Sequence, residues 1–442
     1  MKKLLILFIF FVAVGNTLSA QLKTIASGLN GVIGIRVDDW GNKWVAESGS
    51  GAGDGALVVI TKTNKKHTVI KDLPSTVNPV NMDVVGPWRA IPMSYGRMAV
   101  LIGGCEPLLG PHFGSLMIFN LSGYTPGTDE PLTMDDAEKS IDIGTFSFNA
   151  SDNMDSNPFS AVQDEDGHWY VTDAGANAII RVSRNGQNMS VFAKFPEFAN
   201  PTPVGPPMVD PVPTGIVALP KYGGFLVTTL TGFPFVNGQA GIYFVDRQGN
   251  VSPYLQGLTL LTDIAMDKHE NIYVNSFGNF SLETFNFAPA SANVIRVRKK
   301  SIIDTVATGY GPGPSLSLNY NRRKLFVTSF TGEVLETEIP AESSQALGLE
   351  SRSIENKMDF SLKTFPNPST QYVNLSWELQ NPDSKLTIQL TDAAGRLWYE
   401  RKNINPGDRF HRIDLNQIAY GTYMVKLSSG SGSQIQRIIV NH

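Results

Sequence analysis

One cysteine, Cys105, stands in 442 residues, so no intramolecular disulfide can form and the chain must be held by its core. It ends the stretch Ile102-Gly103-Gly104-Cys105 after an apolar run, where a buried small hydrophobe is the natural reading. Histidine is also scarce. The six histidines (His67, His112, His168, His269, His411 and His442) include no pair at metal-ligand spacing, which argues against zinc. An excess of basic residues is missing too: the formal charge is −4, whereas a nucleic-acid partner asks for a basic stripe. After the first residues no apolar run approaches the roughly 20 residues of a membrane-spanning helix, so we expect no transmembrane segment. A nucleophile elbow, a phosphate loop and a Cys–His pair are all absent.

What is present begins with Met1-Lys2-Lys3, an apolar run from Leu4 to Val14, and Gly15-Asn16-Thr17-Leu18-Ser19-Ala20. Positive start, apolar centre and small-residue end are the parts of a secretory signal peptide. We expect residues 1–20 to be removed after Ala20.

Glycine (41) and proline (27) are frequent along residues 21–340, and a two-strand unit recurs there. Its clearest copies are Gly34 to Glu47, Phe159 to Asp173 and Ile264 to Asn275, with weaker ones at Ile216 to Thr228 and Leu316 to Thr328. An Asp-x-x-Gly turn joins the strands in the best copies. Aspartate caps its own backbone at the turn entry, and glycine accepts the positive φ at the exit. Third and fourth strands follow, such as Ala56 to Ile60 and His67 to Ile70. Four strands repeating at about 45 to 55 residues indicate a β-propeller. The gap between Trp44 and Trp169 has room for a blade around Met98 to Ile102 plus an acidic insertion, Gly123 to Asn153. Six blades of NHL/SMP-30-like type result, or seven if the insertion hides one. The last blade is short of a strand, which Leu22 to Ser27 can supply, closing the ring and removing an open edge.

Residues 341–358 lose the strand pattern and read as a linker. From 359 to 442 short alternating strands return, as in a small Ig-like β-sandwich. Phe365-Pro366-Asn367-Pro368, then Asp392-Ala393-Ala394-Gly395-Arg396, then Tyr420-Gly421-Thr422-Tyr423 and a terminal basic-apolar strand follow in order. This part resembles the type A C-terminal sorting domain of the type IX (Por) secretion system. The resemblance implies sorting landmarks at Pro366, Asn367, Pro368, Gly395, Gly421 and Tyr423. It also implies the secretion machinery as a partner, and a product carried through periplasm and outer membrane to be secreted or held on the surface.

The body resembles the ScyD/ScyE family of propellers. The stretches concerned are Ile25 to Gly31, Trp44 to Gly55, Asp155 to Phe159, Thr172 to Asn177, Val212 to Gly215 and Leu230 to Phe235. That resemblance implies the fold and no settled biochemical activity.

Starts of the inner strands and the adjoining loops form the polar mouth of a propeller channel. Candidate ligand-binding residues there are Asn157, Asp173, Thr214, Asp263 and Asn275, with Phe233 and Phe235 in an aromatic loop. Glu47, Asn157 and Asp263 offer the oxygen chemistry of Ca²⁺ or Mg²⁺. Such a set resembles gluconolactonase-like propellers, although Gly31-Val32-Ile33-Gly34 stands where their first glutamate is expected. Each polar residue also has a local alternative as a turn cap or strand-end hydrogen-bonding group. We therefore expect an exported binding or accessory protein for a small molecule, glycan or peptide. The alternative is a metal-dependent lactonase-like hydrolase. Three convergent oxygens with room for an ion would mark the hydrolase, and an exposed aromatic patch the binder.

Overall fold

Aspartate-capped turns set the repeat. Asp38 Oδ1 accepts from the backbone N–H of Trp40 at 3.0 Å and of Asn42 at 2.8 Å. Asp267 repeats this with His269 and Asn271, and Asp164 bonds the N–H of His168. The computed structural model describes residues 22–340 apart from 81, 320 and 322. Further on it describes 360–441 apart from 366–368, 370, 380–384, 393–395, 406–407, 409 and 430–431. The described residues fall into two units, divided after Pro340.

The first unit is a six-bladed β-propeller. Six four-stranded antiparallel sheets have as inner strands Val32–Val37, Pro87–Pro92, Pro158–Gln163, Pro213–Leu219, Leu261–Met266 and Leu316–Asn319. Each inner strand touches the next, and the last touches the first. Both faces of a blade are covered by neighbouring blades, so the third strand of blade 1, Gly55–Ile60, is buried at every position. Leu57 and Ile70 of blade 1 pack there with Val100 and Met117 of blade 2.

Blade 6 takes its outer strand from the start of the described chain. Lys23–Ala26 pairs antiparallel with Glu333–Glu338, Lys23 opposite Glu336 and Thr24 opposite Leu335. The acidic segment holds no seventh blade. It contains Lys139–Asp142, the outer strand of blade 2, followed by the helix Gly144–Ala150. Ahead of that strand the chain crosses to blade 1, where Leu132 exchanges backbone hydrogen bonds with Val69 and Lys71 and covers the blade's outer edge.

The second unit holds two sheets. Phe360–Phe365, Tyr372–Leu379 and Phe410–Asp414 form one, and Leu386–Asp392, Leu397–Ile404, Gly421–Ser429 and Gly432–Val440 the other. Leu375, Trp377, Ile388, Val425 and Ile438 share its core, as in an Ig-like sandwich. Tyr423 is buried, and its hydroxyl donates to the Ala419 carbonyl at 2.9 Å. Gly421 opens its strand, while Pro366, Asn367, Pro368 and Gly395 lie outside the described residues.

Candidate functional site

The central channel is crossed by charge. Arg89 on the inner strand of blade 2 and Asp263 on that of blade 5 stand on opposite sides of the ring, both fully buried. Arg89 Nη1 donates to Asp263 Oδ2 at 3.1 Å, and Arg36 Nη1 of blade 1 reaches the same oxygen at 3.1 Å. The Ser315 hydroxyl and the Leu316 N–H complete its shell. Burial alone would raise the Asp263 carboxyl, but the Arg36 and Arg89 guanidinium groups outweigh it and hold the carboxyl below its ordinary range. Burial pulls Arg89 down to about 10, still protonated at neutral pH.

This arrangement bears on the proposed cation. Glu47 accepts from the Asn30 N–H at 3.2 Å and lies 3.8 Å from Lys66 Nζ. Asn157 Oδ1 accepts from the Gly104 N–H at 2.8 Å. Glu47, Asn157 and Asp263 share no partner, and an ion at Asp263 would face two guanidinium groups already on its carboxylate. The donor set does not fit Ca²⁺ or Mg²⁺, which need about six or more converging oxygens. Among the described residues, one trio of potential ligands does cluster, Asp164, Asp166 and His168, within 4.8 Å. It sits on the capped turn of blade 3, at the other end of the strands from Asn157.

Thr214 and Asn275 belong to a girdle that ties each blade to the next. The Thr214 hydroxyl of blade 4 donates to the Leu261 carbonyl of blade 5 at 2.9 Å. Thr262 donates to Gly313 at 2.9 Å, Thr328 to Ile33 at 2.9 Å, Ser48 to Pro87 at 3.3 Å, and Thr172 to Thr214. The Gly104–Asn157 bond supplies the step from blade 2 to blade 3. Asn275 donates to Thr262 Oγ1 at 2.8 Å and accepts from the Tyr310 hydroxyl.

Above the girdle, the loops of blades 2, 3 and 4 enclose a cleft of about 380 Å³. Its wall includes Trp88, Asp155, Asn157, Thr231, Phe233 and Phe235. Asp173 lies beneath, accepting from Ser156 Oγ at 2.6 Å, Asn157 N at 2.6 Å and Ala176 N at 3.0 Å, which fixes the Asp155-Ser156-Asn157 loop. Burial pushes the Asp173 carboxyl above its ordinary range, despite the bond from Ser156. Gly103 lies so close to the Trp88 indole that a Cβ there would come within 2.6 Å of the ring.

Behind this wall Trp88 Nε1 and the Thr231 hydroxyl are closed to solvent and have no hydrogen-bond partner among the described residues. Three non-glycine residues in the same wall adopt left-handed backbone: Val212 (φ 57°), Thr231 (φ 79°) and Phe235 (φ 55°). For β-branched Val212 and Thr231 this is strained, at about 1–3 kcal/mol each. Backbone bonds from Leu230 to Val212, Thr231 to Pro211 and Gly232 to Asp210 hold it.

Phe233 and Phe235 meet edge to face at 6.0 Å, and Phe235 continues onto Phe280 at 5.3 Å. Phe277, Phe287 and Phe330 extend the row across blades 5 and 6. The inner rings of this row cover one another, and its two ends stay exposed, Phe330 on blade 6 and Phe233 at the cleft rim. The structure thus brings Asn157, Phe233 and Phe235 to one cleft with Asp173 beneath it, and places Thr214, Asn275 and Asp263 elsewhere. Sequence reasoning passed over Trp88, Thr231 and both arginines. One signal was available: Pro87, Pro158 and Pro213 open three successive inner strands, which sets Trp88 level with Phe159 and Thr214.

The fold has solved counterparts. Regucalcin, a calcium-binding protein of Agrobacterium tumefaciens, is 10% identical over 73% of this chain and 95% of its own, with a TM-score of 0.45. A gluconolactonase of Xanthomonas campestris is 10% identical over 73% of this chain and 90% of its own, TM-score 0.42. PorZ, a surface component of the type IX secretion system of Porphyromonas gingivalis, is 12% identical over 94% of this chain and 60% of its own, TM-score 0.38. No curated protein matches the sequence. Residues 363–441 match the secretion system C-terminal sorting domain, which marks the protein as one exported to the cell surface or secreted.

Proposed function

We propose that this chain is an exported recognition protein whose propeller takes its ligand in the cleft between blades 2 and 4. The cleft itself carries the reading, a concave wall of three blades' loops with strained backbone at Val212, Thr231 and Phe235 and with Phe233 exposed at its rim. Phe233 at the rim adds apolar surface that a ligand can cover. Export would begin with removal of residues 1–20 and run through the type IX machinery that reads the sorting domain. The ScyD/ScyE resemblance fits a propeller of this kind and adds no activity. The lactonase alternative has no support in the channel, where Asp263 is bound to two arginines.

Crystals of the mature protein soaked with a chemically mixed fragment library test this. Fragments should gather in the cleft, and Phe233→Ala should thin them out. Fragments gathering only elsewhere, or a divalent cation lodging at Asp263, would sink the proposal.

A further inference from the structure

The two ends of the propeller differ in charge. At the end where the inner strands begin, the connecting segments are residues 27–31, 48–54, 74–86, 103–114, 143–157, 174–177, 195–212, 230–239, 259–260, 277–291, 311–315 and 330–332. Together they contain eight aspartates and glutamates and no lysine or arginine. The turns at the other end carry Lys62, Lys65, Arg184, Lys221, Arg247 and Lys268. Lys66 and Lys194 reach the first face from outer strands and are paired there, Lys66 at 3.8 Å from Glu47 and Lys194 at 2.6 Å from Asp152. Glu106, Glu197 and Glu283 on this face are exposed and make no ion pair among the described residues.

The same face is apolar. Met82, Leu108, Met154, Met208, Phe233 and Phe285 lie in its loops and are 41% to 72% exposed. A track joins several of the blades. Leu108, Phe233 and Phe235 line the cleft, and rings continue from Phe235 through Phe287 and Phe277 to Phe330 in steps of 4.8 to 6.0 Å. The track thus runs from blade 2 to blade 6, beyond the cleft itself. Large apolar side chains gathered on one face mark an interaction surface, and methionines let it adapt to a partner. An anionic lipid surface or a polyanion would meet carboxylates with no loop cation to answer it. A second copy of this face would set like charge against like. An inorganic cation would leave the track uncovered. A polypeptide with lysine or arginine among large apolar residues answers both features.

We propose that this face, the cleft included, docks a cationic, apolar segment of another protein. The segment's large side chains lie along the track, and its lysines or arginines meet Glu106, Glu197 and Glu283. The assignment rests on the reading of this chain as a recognition protein and names the class of its partner.

A displayed library of random dodecapeptides, panned against the full mature chain, tests it. Enriched peptides should combine lysine or arginine with leucine, methionine or aromatic residues. Synthesised and titrated calorimetrically, they should bind about tenfold more weakly to the double variant Leu108→Ala, Phe233→Ala. The double variant Glu106→Gln, Glu283→Gln should weaken them severalfold. Trp40→Ala, in a turn at the other end of the strands, should leave binding unchanged. No enrichment, enrichment of acidic or uncharged peptides, or binding indifferent to both double variants overturns the assignment. Phosphatidylglycerol vesicles that bind the mature chain but not its Leu108→Ala, Phe233→Ala variant would put a lipid surface in the partner's place and overturn it too. Fragments gathering in the cleft with no peptide enriched would remove the polypeptide and leave recognition in the cleft standing. Fragments gathering elsewhere with no peptide enriched would remove both.

Discussion

Asp263→Asn is the sharpest perturbation the channel offers. The substitution keeps volume and removes one negative charge from a site where Arg89 is fully buried and Arg36 is mostly so. Arg89 would then face a second cation and the Ser315 hydroxyl, with no carboxylate to answer it. Removing one partner of a buried pair costs about 3–5 kcal/mol. The Leu316 N–H, which donates to Asp263 Oδ2 at 3.1 Å, also loses a charged acceptor, so the upper part of that range is expected. Arg36→Met should cost no more than about 1 kcal/mol, because Arg36 is partly exposed and Asp263 keeps Arg89. Replacing both partners, Arg89→Met with Asp263→Leu, should recover most of the loss, since apolar side chains need no counter-charge. Denaturant unfolding of the mature protein followed through the propeller transition measures all three. The pH arm has a definite sign. The folded Asp263 carboxyl lies below its unfolded value, so its contribution is present above about pH 4 and lost as pH falls through the lower folded value. The gap between wild type and Asp263→Asn should be flat from pH 5 to 8 and shrink below about pH 4. A loss under about 1 kcal/mol at pH 7, or a gap that persists undiminished in acid, would refute the reasoning.

Other expectations differ in direction. Asp173 is equally buried, but its carboxyl is raised, so its contribution is present below about pH 4 and lost as pH rises through the folded value. Asp173→Asn should therefore be neutral, or stabilising by up to about 1 kcal/mol, at pH 7, with a flatter melting temperature between pH 4 and 8 than wild type. Thr231→Val removes an unpartnered buried hydroxyl and should stabilise the free protein by about 1 kcal/mol in thermal unfolding. Deleting residues 22–27 strips the closing strand with half-buried Leu22 and Ile25, about 2 kcal/mol of burial, and bares the edge of Glu333–Glu338. Light scattering on warming should show earlier aggregation than in the intact chain, and an unchanged onset would contradict the closure argument. Ending the chain after Pro340 removes the sorting domain and should leave the propeller in the periplasm of its native cell. Immunoblots of cell fractions would read that, and export of the shortened chain would count against the domain's role.

Local chemistry made the propeller legible. Asp38, Asp164 and Asp267 each begin a turn that their own carboxylate caps, so the two-strand unit was visible without any tertiary information. Blade 2 lacks that turn, having Met93-Ser94-Tyr95-Gly96 in its place, and its outer strand was therefore absorbed into the acidic insertion. The site was half legible for a different reason. A threonine at an inner-strand start can serve a ligand or the next blade's carbonyl, and only the packing of blades decides. Thr214, at such a start, bonds the Leu261 carbonyl of blade 5. Arg36 and Arg89 sit inside apolar strands, and the partner they share lies on a blade distant in sequence, beyond any local pattern.

The closed channel and the open cleft are linked by one physical constraint. A ring of twisted sheets needs its inner ends tied together, and here threonine, serine and asparagine side chains do this by bonding backbone carbonyls and amides of the next blade. Those groups are consumed by the ring. The channel is bridged by Arg89 and Asp263, with Arg89 Nε left without a partner among the described residues. The cleft wall, by contrast, is held under strain at Val212, Thr231 and Phe235, immediately above that framework. Backbone strain on a scaffold rigid enough to sustain it is what separates a binding cleft from a surface groove.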